Sequence, residues 1–223
     1  RRHTRLQGDW SSDVCSSDLI DAGLSEQALV LCAQLRAEGL SSPELDVVQA
    51  RALNMKGAHQ EAQQLLEQVI KRHPRMAEAW SVLGVVLAEE GKLPEAREAL
   101  ERAHRLEPKD PDILNNLGFV AMAHGDGERA VDCFKEALLQ DPSQKMARNN
   151  LGFALARLER DQEALEAFRS AGGEAEARYN MGVACEWRMD RACAIVQYQA
   201  ALEVAPGYGL AVNALKKLLS EES

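Results

Sequence analysis

The apolar residues of the chain follow two periods at once. Locally they fall three and four apart, so each short stretch carries one apolar stripe and one polar face, as an amphipathic helix does. Over longer distances whole clusters recur in register. Leu83-Gly84, Leu117-Gly118, Leu151-Gly152 and Met181-Gly182 align, with two steps of 34 residues and one of 30. A second series runs Ala62, Ala96, Ala130, Ala164 and Ala194, and a third runs Leu66, Leu100, Phe134, Phe168 and Tyr198. Pro74, Pro108, Pro142 and Pro206 close successive units. The stretch 77–110 shows what one period predicts: an Ala/Leu/Glu-rich helix, a break at Gly91, a second helix with Pro94 in its first turn, and a stop at Pro108. A helix with a single apolar stripe needs a neighbour to bury it, at roughly 1.5–3 kcal/mol per large side chain. Each period is therefore a pair of helices packed on itself and on the next pair.

Five such units are predicted, 43–76, 77–110, 111–144, 145–174 and 175–208. The first departs most, with Gln49-Ala50 in place of Leu-Gly. The fourth is four residues short, and Gly172-Gly173 stands where the others have a final turn and proline, which reads as a helix C-cap. Its shortness is either drift or a change of curvature. Residues 20–42 read as the remnant of a truncated unit, with Ala28 and Cys32 at the two signature positions of a second helix within Leu24–Leu40. Residues 209–223 read as a capping helix, Leu210–Ser220, and a tail; Lys216, Lys217 and the closing EES supply a polar outer face. The order large residue, Leu-Gly, Ala, large apolar residue, Ala, Pro resembles the tetratricopeptide repeat, and AWSVLGVVLAEEGKLPEAREALERAHRLEP, led by Trp80, is close to its consensus. The resemblance covers about residues 24–220. It implies an all-α fold, a right-handed α-solenoid of antiparallel helix pairs (a tetratricopeptide superhelix) whose first helices line a concave groove.

Composition narrows the picture. Hydrophobic residues are 46% of the chain while aromatics are only 4%, so Ala and Leu do most of the packing, which suits helices better than a sandwich or barrel. The net charge of −9 argues against nucleic acid and anionic membranes, both of which want a basic face. No apolar run is long enough to span a bilayer. Residues 1–19 lack the helical period, and Asp9–Leu19 (DWSSDVCSSDL) reads as the in-frame translation of a common sequencing-adapter string. This leader is expected to be non-native or disordered, and the native N-terminus, with any signal or lipid-attachment cysteine, to be missing. Compartment is accordingly open between the cytoplasm and a periplasmic or outer-membrane lipoprotein, and oligomeric state is not readable.

Candidate chemistry concentrates on one arc of the first helices. At about 100° per residue, repeat positions 4, 7, 8 and 11 share one face and positions 2, 5, 6, 9, 12 and 13 the opposite one. The first set carries the signature and is packed inside; the resemblance assigns the second set to the groove. There, position 6 is Asn116, Asn150 and Asn180, position 5 is Asn115, Asn149 and Tyr179, and position 9 includes Phe119 and Phe153. The motif NNLGF occurs twice. Amides both donate and accept, so a row of them can grip a peptide backbone whatever its side chains. The row resembles the asparagine ladder of some peptide-binding tetratricopeptide proteins, including the O-GlcNAc transferases. Three or four hydrogen bonds at about 0.5–1.5 kcal/mol each fall short of the roughly 8 kcal/mol of micromolar binding, so Phe119 and Phe153 would have to anchor the rest. A second role stays open: the asparagines bond their own or a neighbouring helix, and the phenylalanines pack between helices. The units before residue 111 have Val48 and Val82 at position 6, so the site is placed in the last three units. Val47 and Ser81 at position 5 do not match the carboxylate clamp of chaperone-binding relatives.

Nothing else in the chain points to catalysis. No HExxH, GxSxG, P-loop or GxGxxG sequence occurs, and five cysteines without ligand spacing suit neither a metal site nor a disulfide framework. Cys185 and Cys193 straddle one interhelix turn, which lets them approach each other, but they are expected to be free buried thiols. The chain is expected to be no enzyme and to need no cofactor or metal. It reads as a non-catalytic protein–protein interaction module taking an extended peptide or partner segment in its groove. Two other readings are an assembly factor of a bacterial envelope or pilus complex and a regulatory fragment of a larger enzyme. For the first of these there is a fold-level similarity to bacterial pilus-assembly and outer-membrane tetratricopeptide lipoproteins.

Overall fold

The computed structural model describes residues 23–220. The expected leader, 1–19, and the last three residues of the tail lie outside the described residues. Twelve helices and no strand occur among those described, and the chain forms two compact units, one ending at Pro108 and one beginning at Lys109. The first holds α1 (Ser25–Ala37), α2 (Pro43–Met55), α3 (His59–Arg72), α4 (Ala77–Glu89) and α5 (Leu93–Leu106). The second holds α6 (Pro111–His124), α7 (Gly127–Gln140), α8 (Lys145–Arg157), α9 (Asp161–Gly172), α10 (Glu174–Trp187), α11 (Arg191–Val204) and α12 (Gly209–Ser220). The chain is an all-α solenoid, each helix packing chiefly on its sequence neighbours within its unit.

Short polar residues start the helices where the sequence supplies them. Ser42 Oγ accepts from Leu45 N–H ahead of Pro43, and Asp110 Oδ1 accepts from the N–H groups of Asp112 and Ile113 at 2.8 and 3.0 Å ahead of Pro111. Asp126 and Asp190 cap α7 and α11 in the same way. Gly125 ends α6 at φ +93°, a left-handed conformation glycine adopts at little cost. At Gly172-Gly173 the loop shrinks to one residue: Gly173 closes α9 and opens α10, its N–H donating to Arg169 O and its carbonyl accepting from Ala177 N–H, both at 2.9 Å.

The recurrent small–large pattern is the core. Ala62, Ala96, Ala130, Ala164 and Ala194 are wholly buried, and so, to within 1%, are Leu66, Leu100, Phe134, Phe168 and Tyr198. Each large residue of a second helix lies against the Leu-Gly glycine of the first helix before it. A Cβ placed on Gly118 would stand 2.6 Å from Phe134 Cε1, and one on Gly152 2.5 Å from Phe168 Cδ1; Gly84 on Leu100 and Gly182 on Tyr198 are equally close. The glycine is therefore a packing device: it lets the paired helices approach until the ring fills the space a side chain would take. In α1, Ala28 and Cys32 bury against Leu45, Val48 and Ala52 of α2, the packing of a second helix on a first. Buried Asp46 in α2 accepts from Arg36 Nη2 of α1 at 2.5 Å and from Arg72 Nη2 of α3 at 3.1 Å, tying three helices through one carboxylate.

Candidate functional site

All eight candidate residues lie in the second unit, on α6, α8 and α10. These are the first helices of their pairs, and α8 packs directly on both α6 and α10, so the three form a continuous layer. The amides sit at its seams. Asn150 Nδ2 donates to Asn115 Oδ1 at 2.9 Å, and Asn180 Nδ2 donates to Asn149 Oδ1 at 3.2 Å. Position 6 of one repeat thus clasps position 5 of the repeat before it, twice over. Asn115 and Asn180 are buried, while Asn116, Asn149 and Asn150 are half-buried. The paired amides run along the seams between adjacent first helices and not over a bare surface. The other side of Asn115 faces Met146, its Nδ2 lying 3.9 Å from the sulfur.

The same seams are tied at both ends. Gln144 Nε2 donates to Asp112 Oδ1 at 2.5 Å, and Lys145 Nζ pairs with Glu176 at 3.1 Å, near the helix N-termini. Towards the C-termini, Arg157 Nη1 donates to Met122 O at 3.1 Å and Arg188 Nη1 to Ala156 O at 3.2 Å. These guanidinium groups meet the terminal carbonyls of the preceding first helix, the negative end of its dipole. Arg188 also forks onto Asp161 at 2.7 and 3.2 Å. Beside the one-residue loop, Glu174 is held by Arg169 and by Arg178 at 2.8 Å. These two guanidinium groups, Arg169 foremost, hold its carboxyl down at about 2.

The aromatic candidates divide. Phe119 is 47% exposed. Phe153 is half-buried, edge-on to Phe168 and tilted against Trp187, with both centroid distances 4.8 Å. Tyr179 lies 5.6 Å from both Tyr198 and Tyr208 and is embedded among them. Tyr198 is buried, which pushes its phenol well above the ordinary value, and its hydroxyl donates to Glu186. The layer also presents two residues that the sequence argument left unnamed, Trp187 at 61% and Met146 at 66% exposure. Both stand at positions of the outward arc, 13 and 2, and their apolar character was the available signal. Arg157, the position-13 residue of the preceding repeat, hid the aromatic character of that position.

One cysteine expectation is corrected. Cys185 and Cys193 are joined as a disulfide across the α10–α11 turn, with Cα atoms 5.8 Å apart. Eight residues that fold back through a tight helix–turn–helix bring the two cysteines within bonding reach; spacing across the turn shows that they can approach, but not that they are close enough to bond. Cys32 and Cys133 are free, and burial raises both thiols. Among the described residues no cluster of three or more His, Cys, Asp or Glu is placed to hold a metal ion, and no helix is long and apolar enough to cross a membrane.

Models of the tetratricopeptide repeat match residues 47–111 and 87–151. No curated protein matches the chain in sequence. Solved structures do match in fold. PilF of Pseudomonas aeruginosa is 19% identical, with 92% of this chain and 94% of that one covered and a TM-score of 0.64. YrrB, a tetratricopeptide protein with an unusual peptide-binding site, is 23% identical over 83% of this chain and 97% of its own, with a TM-score of 0.57. MamA of Desulfovibrio magneticus is 24% identical over 70% and 88%, with a TM-score of 0.55. With the paired helices, the small–large register and the Leu-Gly contact in place, the chain is an all-α solenoid that carries tetratricopeptide repeats over residues 47–151.

Proposed function

We propose that this protein–protein interaction module takes an extended partner segment across the α6–α8–α10 layer of its second unit. The observation that carries the reading is the coexistence of clasped amides and exposed apolar side chains on one locked layer. Each clasp uses one end of each asparagine. The opposite ends, Asn149 Nδ2 and Asn150 Oδ1, are half-buried and offer a donor and an acceptor to a peptide backbone. Phe119, Trp187 and Met146 supply apolar contact, with Phe153 braced behind Trp187. Because amides, ion pairs and Arg–carbonyl bonds already fix the helices, a bound segment would pay little to order the surface. Asn115, Asn116, Tyr179 and Asn180 belong to the site as its supports, and Asn149, Asn150, Phe119 and Phe153 as its contacts. The peptide-binding character of YrrB supports the choice of ligand class.

A second reading, an assembly factor acting through the other helix layer, is favoured by exposed apolar side chains there: Leu139 at 78% on α7, and Val196 and Val204 at 59% and 54% on α11. Peptides selected by display on the wild-type chain separate the two. Groove binding predicts that Phe119→Asp abolishes capture of the selected peptides while Leu139→Asp leaves it intact. The reverse pattern transfers the function to the second-helix layer.

A further inference from the structure

We propose that the Cys185–Cys193 disulfide is a thiol-exchange site, opened by a small thiol such as glutathione or by a dithiol, and that its opening loosens the turn carrying Trp187. The fold does not need the bridge. The preceding repeat makes the same turn, with Glu159 at φ +60° where this one has Met189 at φ +59°, yet it has Leu155 and Glu163 where this one has the cysteines. The bridge is therefore an addition to a turn that forms without it.

Its surroundings give the two sulfurs different parts. Cys185 is fully buried, and Arg188 Nη2 lies 3.6 Å from its Sγ. Cys193 is half-exposed in the first turn of α11, where Asp190 caps its N–H at 2.9 Å. An incoming thiolate thus reaches Cys193 Sγ. A bond forms between the two sulfurs, the Cys193–Cys185 bond breaks, and its electron pair leaves on Cys185 Sγ, beside the guanidinium that stabilises a departing thiolate. A second thiol then attacks the sulfur of the reductant in the mixed disulfide and releases Cys193 as thiolate. The reductant ends as a disulfide, two electrons have passed to the protein, and both cysteines take up protons from water.

Arg188 links this chemistry to the layer, since the same side chain holds Ala156 O and Asp161 of the repeat before. Opening the bridge removes the covalent tie across the turn and leaves the segment 186–192 to its non-covalent contacts: Arg188, the Asp190 cap, Glu186 on Tyr198, Trp187 on Phe153 and Arg191 on Leu218 O. The inference stands on the turn itself and does not rest on the binding reading.

The test uses the full chain in its oxidised form, briefly exposed to reduced glutathione, quenched in acid and mapped by peptide mass. Glutathione is expected on Cys193 and not on Cys185. Arg188→Gln is expected to slow the exchange several-fold, while Asp161→Asn, which keeps the guanidinium and removes its ion pair, runs at the wild-type rate. Hydrogen exchange in 186–192 is expected to speed up after full reduction while 156–161 keeps its rate. Glutathione on Cys185, equal slowing by both variants, free alkylation of both cysteines in air-oxidised protein, or unchanged exchange in the turn would each overturn the proposal.

Discussion

Replacing Gly152 by alanine sets two well-measured effects against each other. In an exposed helix interior the change is favourable by about 1 kcal/mol, because glycine gives up more backbone freedom on folding. Here the new Cβ would stand 2.5 Å from both Cδ1 and Cε1 of Phe168 and 2.9 Å from Cζ. Ordinary contact begins near 3.4 Å, so the ring must retreat by about 1 Å. It has nowhere to go: Phe168 is 0% exposed, and Phe153 closes its edge at 4.8 Å. Overpacking of this kind costs about 1–3 kcal/mol; so tight a contact takes the upper part of that range, about 2–3 kcal/mol, and after the propensity gain leaves a net loss of about 1–2 kcal/mol. For a chain of this size that lowers the melting temperature by about 2–8 °C. Gly207→Ala is the control, since a Cβ there meets nothing within 4 Å and the backbone is not left-handed. Thermal melts followed by circular dichroism read both. A Gly152→Ala protein that melts at or above the wild-type temperature would refute the claim that the Leu-Gly glycine exists to admit the ring.

Three further outcomes are expected. Asn150→Ala strands the buried Asn115 carbonyl and should cost about 1–3 kcal/mol in urea unfolding, whereas the double change Asn115→Leu/Asn150→Leu, which removes both partners, should cost less than the single one. Asp46→Ala should destabilise the first unit by about 1–3 kcal/mol, and not more, because Arg36 and Arg72 are 37% and 56% exposed and return to water. Glu174 is held down at about 2 against an unfolded value near 4.5, so its contribution is complete above 4.5 and fades as pH falls towards 2. The stability difference between wild type and Glu174→Gln should therefore shrink across that window in acid titrations and stay level above it.

The register of the fold was legible because it is written in residues whose sizes must match. A glycine in a first helix and a ring sixteen residues later, as in Gly118 and Phe134, can only be one contact. The candidate layer was legible too, since 100° per residue sorts positions 5, 6 and 9 onto one arc without reference to any neighbour. What the asparagines do there was not. Whether Asn150 faces solvent or reaches Asn115 depends on how one repeat is offset against the next, a relation between helices 35 residues apart that no local pattern encodes. The disulfide escaped for the same reason, because it depends on the closeness of two Cβ atoms across a turn. Trp187 was passed over because position 13 of the preceding repeat is Arg157, so no series of aromatic residues marked that position.

The central claim is that the partner lies across the α6–α8–α10 layer. Side-chain NMR of the full chain, titrated with a display-selected peptide, tests it most directly. The account predicts shifts at the Asn149 and Asn150 amide hydrogens and the Trp187 indole N–H, with Leu139 and Val196 methyl signals unmoved. Shifts confined to the α7 and α11 methyl groups, with those amides and the indole silent, would contradict it.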